Sequence, residues 1–435
     1  MGTYLSRTPA SAVAAERRKF TYSCWFKKTQ NGTTNYLLGG NIGGSSYTYL
    51  RFDTDDSIRF RLYDGGNQAD IQSNDVFRDP ASWYHVVLQF DSTQSTNTNR
   101  VKIYVNNRQI TSLQANTYPS QDYSSWINHN SEQRINSATD GYAYFADVHQ
   151  TGNQIYAPSS FGETDSTTGE WKPKNVSGLS YGTNGFHLKF ENSGAMGTDS
   201  SGNNNTFTVN NAGTNPQVTD TPSNNFATWN HLVSRSFQYP FSLQNAGLKV
   251  TSDSNSSYGS TAAATISLGK GKWYWEFKYT TTTGAGGVVV GWGEDTFNFN
   301  YQADAYPYKT SLGSTSGVFY RADGGKVVNG TETGSAGGAW AQNDIIGVAV
   351  DLDNGNITFY KNGTSQFTET SVFTSTISYY PEFYGYSSKG GQANFGNPPF
   401  TIASGNADAN GHGNFEYSVP SGHYAICTKN INAYG

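Results

Sequence analysis

Three stretches decide the fold of this 435-residue chain: GKWYWE at residues 271–276, VVVGWG at 288–293 and DIIGVAVDLDNGNITFYKNG at 344–363. The last stretch places two runs of apolar, β-branched and aromatic residues on either side of Asp353-Asn354-Gly355. This pattern is typical of a β-hairpin, whose tight turn takes its positive φ from Asn and Gly. Residues 344–363 are therefore predicted to form two adjacent antiparallel strands.

In this order, the three stretches resemble a SPRY (B30.2) domain. Such a domain is a two-sheet β-sandwich that acts as a binding module, so the resemblance implies recognition rather than catalysis. Two later segments match the usual ending of the family, YYPEF at 379–383 and GQANFG at 391–396. Residues 415–427 are expected to return a last strand to the same sheet.

The composition predicts a folded, almost entirely β protein. Aromatic residues make up 15% of the chain and charged residues only 14%, with 48 Gly. So many aromatic residues favour packed β-structure with uncharged loops over disorder. A chain of this length is too long for one comfortable core, so two domains are expected.

The charge pattern argues against nucleic acid as a partner. The formal net charge is −5, and the densest basic cluster, Arg17-Arg18-Lys19, precedes a strand-like run. Non-specific binding to DNA or RNA needs a basic stripe, which this sequence lacks.

The two cysteines, Cys24 and Cys427, lie near opposite ends of the chain. We expect both to be buried free thiols in strands, as in a protein that folds in a reducing cytosol. No run approaches the ~20 apolar residues that span a bilayer. Residues 9–15 are followed by Glu16-Arg17-Arg18 rather than by a cleavage site, so no signal peptide is expected.

The first half of the chain carries its own strand signals and one short helical segment. Apolar and polar residues alternate along several runs. The predicted strands are 20–26, 57–63, 83–90, 100–105, 108–110, 141–149 and 186–190, and the predicted helix is 10–18.

Residues 4–192 resemble a laminin-G-like or concanavalin-A-like jelly roll. The resemblance rests on WYHVV at 83–87 and VKIYVN at 101–106. It implies an all-β protein made of two tandem concanavalin-A-like jelly-roll β-sandwiches, the second of them SPRY-like. Residues 83–107 and 344–363 also repeat one plan, which favours two related sandwiches.

The predicted domain boundaries follow composition. Residues 1–193 form the lectin-type sandwich and residues 226–435 the SPRY-like sandwich with its C-terminal strand. Between them, residues 194–225 are rich in Gly, Asn, Ser and Thr and read as a linker or an extended crossing segment.

A further resemblance covers nearly the whole chain. It is carried, in order, by SSFGE at 159–163, GFHLKF at 185–190, DSSGNN at 199–204 and PSGHYAICTKN at 420–430. These segments look like those of tandem lectin-like/SPRY proteins of tailed phages, marine ones especially. The resemblance implies a virion structural protein that is made in the host cytoplasm, contacts other virion proteins and associates with copies of itself. It would be a fibre, an appendage or a head decoration.

Catalytic motifs are missing from the sequence. Retaining glycosidases need two carboxylates about 5–5.5 Å apart, and lectin-fold enzymes place them as Glu-x-Asp-x-x-Glu. The nearest run here, Glu163-Thr164-Asp165, continues into a loop-like segment. The strand residues His85 and His187 are expected to be satisfied core or surface residues rather than ligands. We therefore predict no enzymatic activity, with a glycan-degrading enzyme that uses Glu163 and Asp165 as an alternative.

Short acidic turns are the metal candidates. Asp53, Asp55 and Asp56 resemble a fragment of a calcium loop and could hold a weakly bound cation. The run Asp351-x-Asp353-x-Gly355 lacks the distal Glu and lies on a hairpin turn, where such residues are expected for backbone reasons. No other cofactor is expected.

The segment FNFNYQADAYPY at 297–308 is the ligand candidate. Aromatic rings next to amides and carboxylates suit sugars, which need a platform for their C–H face and partners for their hydroxyls. The candidate ligand-binding residues are Tyr301, Asp304, Tyr306, Tyr308, Arg321 and Trp340. Packing at the ends of a sandwich or at subunit interfaces is the alternative.

The resemblance to phage proteins, together with the missing catalytic motifs, implies a non-enzymatic virion surface protein that binds host-surface glycans or neighbouring virion subunits. A purely structural decoration or cement protein is the first alternative, since no coiled-coil stalk or collagen-like repeat is present. A glycan-degrading enzyme of lectin-like fold is the second.

Overall fold

The computed structural model describes residues 2–41, 43–137, 143–212, 216–234, 240–254, 259–282, 287–294 and 317–435. The chain divides into two compact units, an N-terminal unit (Met1–Gln217) and a C-terminal unit (Val218–Gly435). The division falls inside the predicted connecting segment 194–225. Part of that segment belongs to the N-terminal unit, because Phe207 is buried there and residues 208–210 pair with its first strand.

Sixteen strands lie in the described part of the N-terminal unit. They are β1 (Tyr4–Arg7), β2 (Lys19–Lys28), β3 (Asn35–Gly40), β4 (Ser46–Phe52), β5 (Ser57–Asp64), β6 (Asn67–Val76), β7 (Tyr84–Asp91), β8 (Val101–Val105), β9 (Arg108–Gln109), β10 (Leu113–Thr117), β11 (Gln133–Ile135), β12 (Ala143–Gly152), β13 (Gly162–Thr164), β14 (Trp171–Pro173), β15 (Phe186–Leu188) and β16 (Thr208–Asn210). The unit also has helix α1 (Ala14–Arg18) and two 3₁₀ turns, Asn97–Asn99 and Pro158–Ser160.

The strands of the N-terminal unit form two large antiparallel sheets and one separate hairpin. The eight-stranded sheet has the order β10-β6-β5-β4-β3-β11-β1-β16, the six-stranded sheet the order β15-β12-β2-β7-β8-β9, and the hairpin pairs β13 with β14. Alternation decides which side of each strand is buried: Ile58, Phe60 and Leu62 of β5 point into the core, and the intervening residues are more exposed. Rings of the two sheets meet in the core, as Phe60 and Phe90 do at 5.7 Å between centroids.

The C-terminal unit is a second sandwich. Its described strands are β17 (Trp229–Ser234), β18 (Ser242–Gln244), β19 (Lys249–Thr251), β20 (Ser260–Ala264), β21 (Lys272–Tyr279), β22 (Val288–Glu294), β23 (Gly317–Arg321), β24 (Lys326–Val328), β25 (Thr331–Thr333), β26 (Ile345–Asp351), β27 (Asn356–Lys361), β28 (Thr364–Glu369), β29 (Tyr379–Gly385), β30 (Gly390–Asn394) and β31 (Tyr424–Ala425). Helix α2 (Thr428–Tyr434) follows the last strand.

These strands again form two sheets. One has the order β17-β20-β29-β22-β23-β24-β25, and the other has the order β18-β19-β30-β21-β26-β27-β28 with β31 added parallel to β21. The core between the sheets contains Trp229, Trp273, Trp275 and Trp292, all fully buried. The all-β class and the two sandwiches predicted from the sequence are therefore confirmed. Residues 415–427 do return a strand to this sheet, although it is only two residues long.

The hairpin predicted at 344–363 is present as β26 and β27, but its turn differs from the prediction. Only Gly355 has a positive φ, of 72°, while Asn354 does not. The backbone N–H of Asn354 instead donates to Oδ1 of Asp351 at 3.1 Å. The Asp351 side chain thus fixes a longer, four-residue turn, which needs one left-handed residue rather than two.

The repeated plan that links the two halves has a structural counterpart. Asn106 follows β8, and its Oδ1 accepts a hydrogen bond from the backbone N–H of His85 at 2.8 Å. Asn362 follows β27, and its Oδ1 accepts from the N–H of Ile345 at 2.9 Å. Both asparagines have positive φ, so each sandwich closes one hairpin end with the same side-chain contact.

Both cysteines are buried free thiols, as predicted. Cys24 lies on β2, but Cys427 precedes helix α2 instead of lying on a strand. Among the described residues, no helix is both long enough and apolar enough to cross a membrane.

Candidate functional site

The candidate site is a cleft of about 580 Å³ in the N-terminal unit, next to the β13–β14 hairpin. Its wall combines one aromatic ring with charged, amide and hydroxyl groups. The lining residues are Tyr156, Ser160, Glu163, Lys174, Asn175, Ser177, Gly178 and Leu179.

The hairpin that forms one wall is fastened to the six-stranded sheet by Trp171 on β14. Its Nε1 donates a hydrogen bond to Nδ1 of His85 on β7 at 3.0 Å. On the partner strand, Gly162 leaves room for the indole, since a Cβ at that position would lie 2.6 Å from the Trp171 ring. This close approach requires a residue without a side chain and sets the position of Glu163, the next residue in β13.

Tyr156 is held in place at its backbone and at its hydroxyl group. Its N–H donates to Oγ1 of Thr21 at 2.9 Å, and its carbonyl accepts from Nε2 of Gln89 at 2.9 Å. Its Oη accepts from the N–H of Ser180 at 2.9 Å. The half-buried ring is therefore fixed before any ligand arrives, which lowers the entropic cost of binding.

Lysines balance the charges around the cleft. Nζ of Lys172 lies 2.8 Å from Asp165 and 3.8 Å from Glu163. Nζ of Lys174 donates to the carbonyl of Ser159 at 2.5 Å. The hydrogen bond from Lys172, together with those from the N–H groups of Thr168 and Thr167, holds the pKa of Asp165 well below its usual range. Asp165 is therefore an ionised carboxylate at neutral pH.

These groups can bind a sugar. A tyrosine ring offers an apolar face to the C–H groups of a pyranose, and the Glu163 carboxylate and the Asn175 amide can bind its hydroxyls. The volume falls within the roughly 300–1,000 Å³ of small-molecule sites. Such a cleft can take a short segment of a glycan chain.

A serine–histidine contact beneath the hairpin cannot generate a nucleophile. Ser23 Oγ lies 2.9 Å from Nε2 of His85, and both residues are fully buried. Because the indole of Trp171 can only donate, Nδ1 of His85 must accept, and the ring proton lies on Nε2. His85 therefore donates to Ser23 instead of removing its proton, as a catalytic base would have to do.

The residues predicted from the sequence as ligand contacts do not form a described site. Tyr301, Asp304, Tyr306 and Tyr308 lie outside the described residues. Arg321 forms ion pairs with Asp323 and with Glu332, the latter at 3.1 Å. Trp340 is only 4% exposed and contacts the rings of Phe277, Tyr279 and Tyr320 in the core. This residue therefore packs inside the sandwich, as the alternative to ligand binding predicts.

The acidic turn predicted as a calcium loop is held by ion pairs and hydrogen bonds to protein groups. Asp56 pairs with Lys28 at 2.5 Å and with Arg78 at 3.0 Å. Asp53 pairs with Arg51 at 2.5 Å. Asp55 accepts hydrogen bonds from the N–H and hydroxyl of Ser57 and from Gln72 and Gln114. The three carboxylates thus bind separate partners and do not converge on one point as calcium ligands do.

Sequence reasoning missed most of the cleft. Of the lining residues, the sequence indicates only Glu163 as a candidate, and it does so as a carboxylate of the enzymatic alternative. Tyr156, Lys174 and Asn175 lie in irregular segments, where no hydrophobic period marks a residue's neighbours. The one available signal was the clustering of aromatic, amide and hydroxyl residues around Gly162.

Comparisons with known proteins agree with the two-sandwich architecture. Residues 2–149 match the concanavalin A-like lectin/glucanases superfamily, and residues 272–398 match the SPRY domain. The chain therefore carries a concanavalin A-like, laminin G-type domain followed by a SPRY domain, which confirms the predicted tandem. No curated protein matches the chain.

Solved SPRY structures are similar to part of the chain. The SPRY domain of human HERC1 has 20% sequence identity and a TM-score of 0.30, and the match covers 38% of this chain and 94% of that one. The TRIM65 PSpry domain has 17% identity and a TM-score of 0.29, with 39% and 91% covered. A human SPRY domain has 16% identity and a TM-score of 0.26, with 35% and 93% covered.

Proposed function

We propose that this chain is a non-enzymatic carbohydrate-binding protein displayed on the surface of a phage particle. The observation that carries the proposal is the cleft beside the β13–β14 hairpin, where the ring of Tyr156 lies among the polar groups of Glu163 and Asn175. The concanavalin A-like match of the same unit supports a lectin role. The virion setting rests on the resemblance of four sequence segments to tandem proteins of tailed phages.

Binding would follow from a fixed platform and adaptable polar partners. The ring of Tyr156 would stack on a sugar, and its position is already set by Thr21, Gln89 and Ser180. Glu163 would accept hydrogen bonds from vicinal hydroxyls, since its side chain is 53% exposed and the ammonium group of Lys172 lies 3.8 Å away. Host-surface polysaccharides present such hydroxyls in repeated units, which suits a protein present in many copies on a particle.

The charge state of the cleft favours binding without hydrolysis. A glycosidase needs one carboxylic acid with a raised pKa to protonate the leaving group and a second carboxylate as nucleophile or base. Asp165 has the opposite shift, because Lys172 and two backbone N–H groups stabilise its charge. Asp165 is therefore unsuited to be the proton-donating acid, which supports a role in binding rather than in cleavage.

The test is a screen of the purified full chain against polysaccharides from candidate host surfaces, with wild type, Tyr156→Ala and Tyr63→Ala compared. Tyr63 lies on β5, on the outer face of the other sheet, and serves as the matched aromatic control. We expect wild type and Tyr63→Ala to retain the same glycan, and Tyr156→Ala to lose it. Equal binding by all three would refute the cleft as the site, and release of reducing ends would refute the non-enzymatic part.

A second candidate function is a protein contact within the virion, as in a decoration or cement protein. It is favoured by a Tyr–Arg face on the outer side of the eight-stranded sheet, made of Tyr36, Tyr47, Arg51, Arg61 and Tyr63. The rings of Tyr47 and Tyr63 stack at 5.3 Å, and the guanidinium groups of Arg51 and Arg61 lie over the rings of Tyr36 and Tyr63. Tyrosine and arginine are enriched at the centres of protein interfaces.

The same two variants separate the candidates. If the Tyr–Arg face binds a virion subunit, Tyr63→Ala lowers the number of copies on purified particles while Tyr156→Ala leaves it unchanged. Imaging of intact particles would then place the protein on the capsid or on the tail. Normal incorporation of Tyr63→Ala would remove the support for this second function.

A further inference from the structure

We propose that Asp147, His149 and His187 form a binding site for one divalent transition-metal ion, for which zinc has the best-matching chemistry. The site lies in the N-terminal unit and is independent of the glycan-binding proposal. One oxygen or nitrogen ligand atom from each of the three residues lies within 4.8 Å of the other two.

The strands place the two histidines side by side. His149 on β12 and His187 on β15 are direct cross-strand partners. Their rings stack with centroids 3.9 Å apart and an interplanar angle of 21°. The Nε2 atoms of both rings lie close to the carboxylate of Asp147.

An irregularity in β12 adds the carboxylate. The pairing of β12 with β2 shifts register between Ala146 and His149, and Asp147 within this bulge has a φ of 48°. The left-handed region is uncommon for a non-glycine residue, although aspartate tolerates it, and bulges often aim a side chain at a functional site. Here the bulge brings Oδ1 of Asp147 to 3.1 Å from Nε2 of His149 and 2.7 Å from Nε2 of His187.

These separations are close to those that a tetrahedral zinc ion requires. With bonds of roughly 2.0–2.1 Å, two ligands of one zinc ion lie about 3.3 Å apart. The carboxylate and the imidazoles would move apart by a few tenths of an ångström to admit the ion. The side chain of Asp147 is 27% exposed and that of His187 is 10% exposed, so the remaining coordination positions can face water or a ligand.

One nitrogen of the cluster lacks a well-aligned hydrogen-bond partner among the described residues. Nε2 of His149 is buried and makes no hydrogen bond to any of them, although Asp147 Oδ1 lies 3.1 Å away. The side chain is fully buried, so bulk solvent does not reach this nitrogen. Ligands of one metal ion have this relationship, because each lone pair points at the ion and not at the neighbouring ligand.

The other ring nitrogen of His149 has a partner of the kind found behind metal ligands. Nδ1 lies 2.9 Å from Oη of Tyr181. If Nδ1 carries the proton and donates it to Tyr181, Nε2 keeps a free lone pair for the ion. Histidine ligands commonly donate their second ring N–H in this way, which fixes their tautomer.

The donor set selects the metal class. Two imidazole nitrogens and one carboxylate oxygen suit zinc, iron, cobalt or nickel, whereas calcium takes oxygen ligands only. The proposed ion is therefore different in kind from the calcium considered for the acidic turn at Asp53.

The test is a titration of the tag-free, chelator-treated full chain with Co²⁺ and then Zn²⁺, followed by visible absorption. We expect one equivalent of Co²⁺ to give ligand-field bands that Zn²⁺ removes. Asp147→Asn and His187→Asn should abolish the bands, while His129→Gln, a histidine outside the cluster in the same unit, should keep them. Circular dichroism of the metal-free variants checks that each is folded.

Tyr181→Phe provides a variant that leaves all three ligands in place. It should bind zinc about 10–100-fold more weakly, because Nδ1 of His149 loses its partner. The proposal is overturned if wild type shows no bands with excess Co²⁺, or if the bands persist in Asp147→Asn and His187→Asn. It is equally overturned if His129→Gln abolishes them, since the ion would then be bound elsewhere.

Discussion

Nε1 of Trp171 donates a hydrogen bond to Nδ1 of His85 at 3.0 Å, and this contact ties the β13–β14 hairpin to the sheet beneath it. Burial lowers the pKa of His85 to about 3, so the ring stays neutral at physiological pH and its Nδ1 remains an acceptor. The bond is therefore insensitive to pH near neutrality. The hairpin is thus held to the sheet by a hydrogen bond between two neutral rings.

Trp171→Phe tests that contact. The substitution keeps most of the ring but leaves Nδ1 of the buried His85 without a partner, which should cost about 1–3 kcal/mol of the free energy of unfolding of the N-terminal unit. Hydrogen exchange in residues 162–173 should accelerate more than elsewhere in the unit. Ser166→Ala, an exposed position in the turn of the same hairpin, should leave both quantities unchanged. Unaltered exchange in the Phe variant would mean that the indole N–H does not hold the hairpin.

Gly162→Ala tests the close approach between the hairpin and the indole. A Cβ at this position would lie 2.6 Å from the Trp171 ring, so the strand or the ring must move. We expect the glycan affinity to fall, because Glu163 moves with the strand, while the C-terminal unit keeps its melting temperature. Gly66→Ala is the matched control, since among the described residues no atom beyond its chain neighbours lies within 4 Å of the added Cβ. An unchanged affinity in Gly162→Ala would show that the strand position does not matter for binding.

Glu276 in the C-terminal unit predicts a pH dependence of stability. Burial raises its pKa to about 7, even though the N–H groups of Glu416 and Tyr417 and the side chains of Asn394 and Tyr274 donate to it. A carboxyl whose pKa is higher in the folded state binds more protons there than in the unfolded chain. Its contribution to stability is therefore complete below about pH 4.5 and is lost as the pH rises through about 7.

The measurement is denaturant unfolding of the C-terminal unit between these two pH values, for wild type and Glu276→Gln. The difference in unfolding free energy between the two proteins should grow by up to ~3 kcal/mol as the pH rises, because only wild type loses its proton. Glu191→Gln, a change at an exposed carboxyl in the N-terminal unit, should follow wild type. A difference that stays constant with pH would contradict the shifted pKa.

The fold was predictable because a strand is marked by the alternation and type of residues within its own short segment. Alternation in residues 57–63 and 101–105 identified β5 and β8, and the aromatic and β-branched runs near 273 and 348 identified the core of the second sandwich. The arrangement of two sandwiches in tandem was predictable from the order of such segments along the chain. Helix α2 was not, since a seven-residue helix is too short to show a 3.6-residue period.

The candidate sites were harder to predict because they are assembled across the chain. The cleft joins Tyr156 to residues 160–179, which have no common period, and Trp171 reaches His85 across 86 positions. His149 and His187 become neighbours only through the pairing of β12 with β15. The histidines are scattered along the sequence without the spacing of a known motif. The sequence alone therefore does not indicate the cluster, which forms through the register of the paired strands.

The most direct test of the central claim is a crystal structure of the full chain with the oligosaccharide identified by the binding screen. The account predicts an intact sugar chain in the cleft, with one ring against Tyr156 and hydroxyls within hydrogen-bond distance of Glu163 or Asn175. A sugar bound instead on the C-terminal unit or on the Tyr–Arg face, with the cleft empty, would contradict it, as would a cleaved glycosidic bond in the cleft.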